Sequence, residues 1–173
     1  SHEIKWILGE HTHWPPPLRR KLLKRPEGMA WPYHAHNPRI TKEGNIILYE
    51  NAQWSARPFT GQTPRSANDA FSRAVEYRID EENMTVNEVW SSATAKSPDT
   101  CHTPFMGDAH RLPLTGNVLV IDSVCFDQDS YALTYNQRDF DKRHSSELNH
   151  HARIREYTRS IPPVILWEAQ LDD

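Results

Sequence analysis

No stretch of this sequence approaches the roughly 20 consecutive apolar residues that cross a bilayer as a helix, and no secretory leader opens it. The chain begins Ser1-His2 without methionine, as expected of a processed or truncated product whose targeting segment has been removed. A strong net charge is also missing: 20 Lys and Arg against 23 Asp and Glu leave −3 at neutral pH. The pI near 6.3 gives no broad attraction for nucleic acid or anionic lipid. The one basic cluster, Arg19, Arg20, Lys21, Lys24 and Arg25, follows three prolines and reads as a solvated loop or short helix. Cysteine is scarce, and two residues, Cys101 and Cys125, do not fix a redox compartment by number. CxxC, HExxH, GxSxG and glycine-rich phosphate loops are all absent, so no metal centre, nucleophilic serine elbow, nucleotide cradle or other cofactor is implied. The histidine pairs His11/His13, His34/His36 and His150/His151, with His144, therefore read as loop histidines rather than ligands.

What is present is the balance of a soluble globular chain, 37% hydrophobic and 25% charged, which rules against disorder. Thirteen prolines and six tryptophans in 173 residues sit beside short apolar runs, which favours many short elements joined by loops over long helices.

Internal self-similarity organises these runs. Arg39-Ile40-x-x-x-Gly44-Asn45-Ile46-Ile47-Leu48-Tyr49-Glu50 has a partner in Arg111-Leu112-x-x-x-Gly116-Asn117-Val118-Leu119-Val120-Ile121-Asp122, 72 residues on. Val75-Glu76-Tyr77 ahead of Val89-Trp90 is matched by Arg155-Glu156-Tyr157 ahead of Leu166-Trp167-Glu168, at offsets of 80 and 77. Each unit resolves into four apolar or β-branched stretches, near 34–41, 45–51, 72–79 and 85–91, then near 106–112, 117–124, 152–158 and 163–169. Gly44 and Gly116 supply the positive φ that tight hairpins need, and Asp80-Glu81-Glu82-Asn83 supplies turn chemistry between the third and fourth strands. The expected fold is all-β. Residues 1–173 form a single region of β-propeller blades built from four-stranded antiparallel sheets. Residues 4–8 would end a preceding blade, 31–91 form one blade, and 103–169 form another with a polar insertion at 126–150. Two blades and one strand do not close a ring, so the remaining blades would come from a longer chain or another subunit. The competing architecture is an open β-sandwich of a duplicated sheet.

Three segments carry a resemblance. They are Trp31-Pro-Tyr-His-Ala-His36-Asn-Pro-Arg-Ile-Thr-Lys-Glu-Gly-Asn-Ile-Ile-Leu-Tyr-Glu-Asn51, Ser72-Arg-Ala-Val-Glu-Tyr-Arg-Ile-Asp80 and Met84-Thr-Val-Asn-Glu-Val-Trp90. In order and spacing they resemble the arylsulfotransferases. The likeness extends through Trp6-Ile-Leu-Gly9 and Thr103-Pro-Phe-Met-Gly-Asp108 over most of residues 4–122. It implies a six-bladed propeller, periplasmic or secreted, that moves a sulfuryl group from an aryl sulfate to a phenol through a sulfated histidine, without a nucleotide donor. The partners it implies are thus small molecules.

Such a transfer needs a nucleophile, cationic or hydrogen-bonding groups on the sulfuryl oxygens, and an acid for the departing phenolate. His36 falls where the family has a histidine before the Gly-Asn hairpin, and hairpin pairing sets it opposite residues near 51, so that His36, Asn51 and the loop to Arg57 share one end. Arg57 falls near a family arginine and is assigned to sulfate oxygens, with Asn51 as a substrate-binding residue. The ordinary reading of His36 is a strand-end histidine bonded to backbone. His102 and His110 are both candidates for the sulfated histidine. By the 72-residue offset Asp108 matches His36, which gives Asp108 the same layer and a substrate-binding role. Cys101 and Cys125 would meet at one end of the second hairpin, as a disulfide suited to an exported protein or as two buried thiols. A non-catalytic propeller is the other reading of function, with Trp14, Trp31 and Trp54 offering an aromatic binding surface.

Overall fold

A computed structural model of the chain describes residues 3–52, 71–94, 101–103, 105–126 and 150–172. Apart from one helical turn, α1 (Pro16–Arg19), in the proline-led basic segment, its regular elements are strands. They are β1 (Ala35–Ile40), β2 (Ile46–Glu50), β3 (Arg73–Asp80), β4 (Thr85–Ser91), β5 (Asp108–Arg111), β6 (Val118–Phe126), β7 (His150–Tyr157) and β8 (Ile165–Asp172). They form two antiparallel four-stranded meanders, β1-β2-β3-β4 and β5-β6-β7-β8. The expected all-β pair of sheets is therefore present, with strand ends within a few residues of the sequence reading. The polar insertion lies almost wholly outside the described residues.

Local chemistry explains the turns. Gly44 and Gly116 adopt φ of 83° and 74° between β1 and β2 and between β5 and β6, where a side chain would strain the backbone. Between β3 and β4, the Asp80 carboxylate accepts the backbone N–H groups of Glu82 and Asn83 at 3.0 and 2.9 Å, an Asx turn that closes the hairpin.

The internal repeat is a repeat of register. His36 pairs with Tyr49 as Asp108 pairs with Ile121, and Ile46 with Tyr77 as Val118 with Tyr157. The third strand of each sheet breaks register at the same place, Glu76/Tyr77 and Glu156/Tyr157, and the glutamate there faces the tryptophan of the fourth strand, Trp90 or Trp167.

Side-chain alternation along the strands gives each sheet two faces. Ile47, Tyr49, Ala74 and Trp90 of the first sheet pack on Ala109, Val118, Val120 and Tyr157 of the second. The other face of the first sheet, with Leu48, Val75, Tyr77 and Val86, is covered by Leu23, Met29 and Trp31, with Trp6 and Leu8 against it. Trp31 is thus a core residue, at 5% exposure, and not part of an aromatic binding surface. The contact is head to tail: residues of the second sheet equivalent to Ile47, Tyr49 and Trp90 are Leu119, Ile121 and Trp167, which face away from the first sheet. Trp167 is 50% exposed where Trp90 is 2%.

A buried carboxylate ties the sheets together. Glu76, fully buried, accepts from Asn45 Nδ2 at 2.7 Å within its own sheet, and from Arg111 Nη1 at 3.3 Å and Arg159 Nη2 at 2.9 Å across the interface. The intra-sheet half recurs as Asn117 Nδ2 to Glu156 Oε1 at 2.7 Å. Glu76→Ala leaves two partly buried guanidinium groups without their counter-charge and should lower unfolding free energy by about 3 kcal/mol. Urea denaturation of the variant checks this, and a change under about 1 kcal/mol would mean that solvent replaces the carboxylate.

Candidate functional site

The start of β1 is irregular because the sequence makes it so. Register shifts between His36 and Arg39, where Asn37 adopts a left-handed φ of 47° and Pro38 offers no backbone N–H to the ladder. This bulge turns the half-buried His36 ring toward the end of β2. There its Nδ1 lies 2.6 Å from Oδ1 of Asn51, the residue that follows the strand.

Asn51 is fully buried, and its amide nitrogen is saturated by backbone. Nδ2 donates to the carbonyl oxygens of Thr103 at 2.6 Å and Met106 at 2.8 Å, both in the segment that leads into β5. Ser72, just before β3, completes the junction: its hydroxyl lies 3.0 and 3.1 Å from the carbonyls of Asn51 and Thr103 and accepts the Thr103 N–H at 2.8 Å. Three chain segments distant in sequence thus converge beside His36.

The backbone there is costly. Among the described residues six non-glycine positions have positive φ, and four of them, His34, Asn37, Ala52 and Met106, adjoin His36, Asn51 or a carbonyl that Asn51 binds. Each such conformation costs on the order of 1 kcal/mol and persists only where the surroundings enforce it, which is common at functional sites.

Beneath this junction Tyr49 crosses the interface and donates its hydroxyl to Asp122 at 2.6 Å. Asp122 in turn accepts from Arg153 Nη2 at 3.2 Å. Burial, then the adjacent carboxylate, pushes the Tyr49 phenol well above its ordinary range, so it stays a donor. The ring lies so close to Gly107 that a Cβ there would stand 2.4 Å from its Cδ1, and Gly107 also has φ of 103°. Only glycine fits. Cys101 and Cys125 are joined by a disulfide with Cα atoms 5.5 Å apart, which ties the segment before β5 to the far end of β6.

The remaining sequence candidates spread over more than one place. His102 is 4% exposed, next to the Thr103 carbonyl, and burial alone depresses its imidazole to about pKa 3. His110 is exposed on β5 and lines a cavity of about 490 Å³ at the hairpin end, with Arg39, Lys42 and Arg111. Asp108 occupies the position equivalent to His36, but is engaged by Arg39 Nη2 at 3.0 Å across the interface. Arg57 and Trp54 lie outside the described residues. Sequence reading missed Thr103, Met106, Ser72 and Tyr49 as members of the site. Only Gly107 next to Met106 hinted at close approach: Thr103 and Met106 act through backbone carbonyls, and the hydroxyls of Ser72 and Tyr49 meet partners distant in sequence.

Two similarities place this geometry in a family. The model of the family described as Arylsulfotransferase (ASST) matches residues 1–160, and the chain belongs to that family. It is 27% identical over 114 residues to the arylsulfate sulfotransferase AssT of Escherichia coli O6:H1, and 27% identical over 116 residues to the enzyme of that name from Lelliottia amnigena. Each alignment covers 56% of this chain and 18% of the relative, so the chain spans under a fifth of the curated relatives it matches.

The buried state of His102 has a pH consequence. A histidine whose folded pKa is depressed binds fewer protons folded than unfolded, so stability is complete above the ordinary histidine pKa of about 6.5 and is lost as pH falls toward 3. Denaturation midpoints measured from pH 7 to 4 should fall, and fall less steeply in His102→Gln. Equal slopes would mean that the folded protein protonates this ring freely.

Proposed function

We propose that this chain contributes two adjoining blades of a β-propeller sulfotransferase that moves a sulfuryl group from an aryl sulfate to a phenolic acceptor through a sulfohistidine. The observation that carries the reading is the half-buried His36 ring, held by Asn51 where the first strands of two repeated sheets meet, within a family of arylsulfotransferases. Head-to-tail stacking supports propeller over sandwich. A duplicated sandwich would bring equivalent faces together, whereas unlike faces meet here and the second sheet presents Trp167 for another unit.

In the first half-reaction a histidine nitrogen forms a bond to sulfur as the aryl S–O bond breaks, and the electron pair departs on the phenolate oxygen, which takes a proton from a neighbouring acid. In the second, a phenol oxygen attacks sulfur, the S–N bond breaks and its electron pair returns to the imidazole. His36 is assigned the proton exchange, and Arg57 the sulfuryl oxygens. Of the two candidate nucleophiles we favour His102. It adjoins the Thr103 carbonyl that anchors Asn51, and burial keeps its ring neutral, as a nucleophile requires. His110 lies nearer the hairpin turns, among Arg39, Lys42 and Arg111. Asp108, bound to Arg39, serves to orient the interface rather than to bind substrate. The disulfide fits a periplasmic or secreted protein, where such bonds persist. The remaining blades would come from a longer chain or another subunit.

The test is the intact mass of the complete protein after brief incubation with 4-nitrophenyl sulfate. A gain of one sulfuryl group, mapped to His102 and lost on adding phenol, is the expected result, and His36→Ala should slow its formation by about 10²- to 10⁴-fold. No gain and no 4-nitrophenol release would overturn the reading in favour of a binding propeller.

A further inference from the structure

The amide of Asn51 has only one chemically acceptable orientation. Both atoms within reach of one end are backbone carbonyl oxygens, of Thr103 and Met106, at 2.6 and 2.8 Å. A carbonyl oxygen accepts and never donates, so that end must be the NH₂ group and the opposite end the amide oxygen. Turning the amide over would set oxygen against two oxygens and leave a fully buried NH₂ facing a ring nitrogen.

The histidine inherits that constraint. Oδ1 of Asn51 is 2.6 Å from Nδ1 of His36, and an amide oxygen only accepts, so Nδ1 must carry the proton. In the neutral ring Nε2 is then the bare lone pair. Among the described residues none bonds this nitrogen, and the half-buried ring leaves it reachable.

We infer that Asn51 is a positioning residue, which holds neutral His36 with its proton on Nδ1 and its Nε2 lone pair open, and does not itself touch substrate. For what meets Nε2 the inference rests on the sulfotransferase reading; the tautomer itself does not. In the second half-reaction the acceptor phenol gives its proton to Nε2 as its oxygen forms the bond to sulfur. The resulting imidazolium keeps its Nδ1–H on Asn51 and returns the Nε2 proton to the phenolate released in the next cycle. His36 therefore donates only as imidazolium, and accepts only as the Nδ1–H tautomer.

The experiment is a long-range ¹H–¹⁵N spectrum of the complete protein with labelled histidine, with His36 assigned by its loss in His36→Gln. A protonated Nδ1 and a bare Nε2 in the neutral ring are expected. Asn51→Leu removes the acceptor for Nδ1–H and should let Nε2–H appear, with kcat falling by about 100-fold and KM changing little. A proton on Nε2 in the unaltered protein overturns the inference, and that spectrum needs no variant to fold. Correct tautomers without any sulfuryl transfer would leave this inference standing while the sulfotransferase reading fell.

Discussion

Asn51 accepts from His36 with its amide oxygen and donates from its nitrogen to two carbonyls of the segment entering the second sheet. That one side chain therefore links the His36 ring, the end of β2 and the neighbouring repeat. Much else follows from seating it. Its burial requires every polar atom to find a partner, since an unmet amide group costs about 1–3 kcal/mol. One of those partners, the Met106 carbonyl, belongs to a residue in the left-handed region, and Ala52, next to Asn51, lies there too. Gly107 then lets the segment press against Tyr49, whose hydroxyl is anchored on Asp122. Strain in one layer is opposed by close packing in the layer beneath.

A site assembled between repeats needs an interface that cannot slide. Non-directional packing of Tyr49, Trp90, Val120 and Tyr157 leaves register open; buried ion pairs do not. Glu76 with Arg111 and Arg159 at one level, and the buried Tyr49 hydroxyl on Asp122 at another, set the docking position, and the exposed Arg39–Asp108 pair adds little to it. The repeat carries half of the Glu76 device forward as Asn117 with Glu156, beside the exposed Trp167. The second sheet thus exposes the counterpart of the surface that the first sheet buries against it.

The fold was legible in sequence to an unusual depth, because the repeat fixes two sheets at once and the Gly44 and Gly116 hairpins pin their phase. The offset of 72 residues is reproduced in the pairing of His36 with Tyr49 and Asp108 with Ile121. The closeness of His36 to Asn51 also follows from counting residues back along a hairpin. The role of Asn51 does not, since it depends on carbonyls supplied by Thr103 and Met106 more than fifty positions away, and backbone groups leave no mark in sequence. The same limit applies to His102: nothing in Cys101-His102-Thr103 announces a buried imidazole, because burial is set by packing of distant segments. Trp31, conspicuous in a proline-rich loop, was drawn into the core by the apolar face of the first sheet.

The central claim is that the Nε2 edge of His36, held from behind by Asn51, faces the transferred group. A crystal structure of the complete protein with a slowly reacting aryl sulfate or a phenyl sulfonate tests it most directly. The account predicts a sulfuryl or sulfonate oxygen, or the bridging phenolic oxygen, within hydrogen-bond distance of Nε2, with the Asn51 contacts unchanged. An anion seated at the His110, Arg39 and Lys42 cavity instead, with His36 Nε2 bonded to protein, would contradict it.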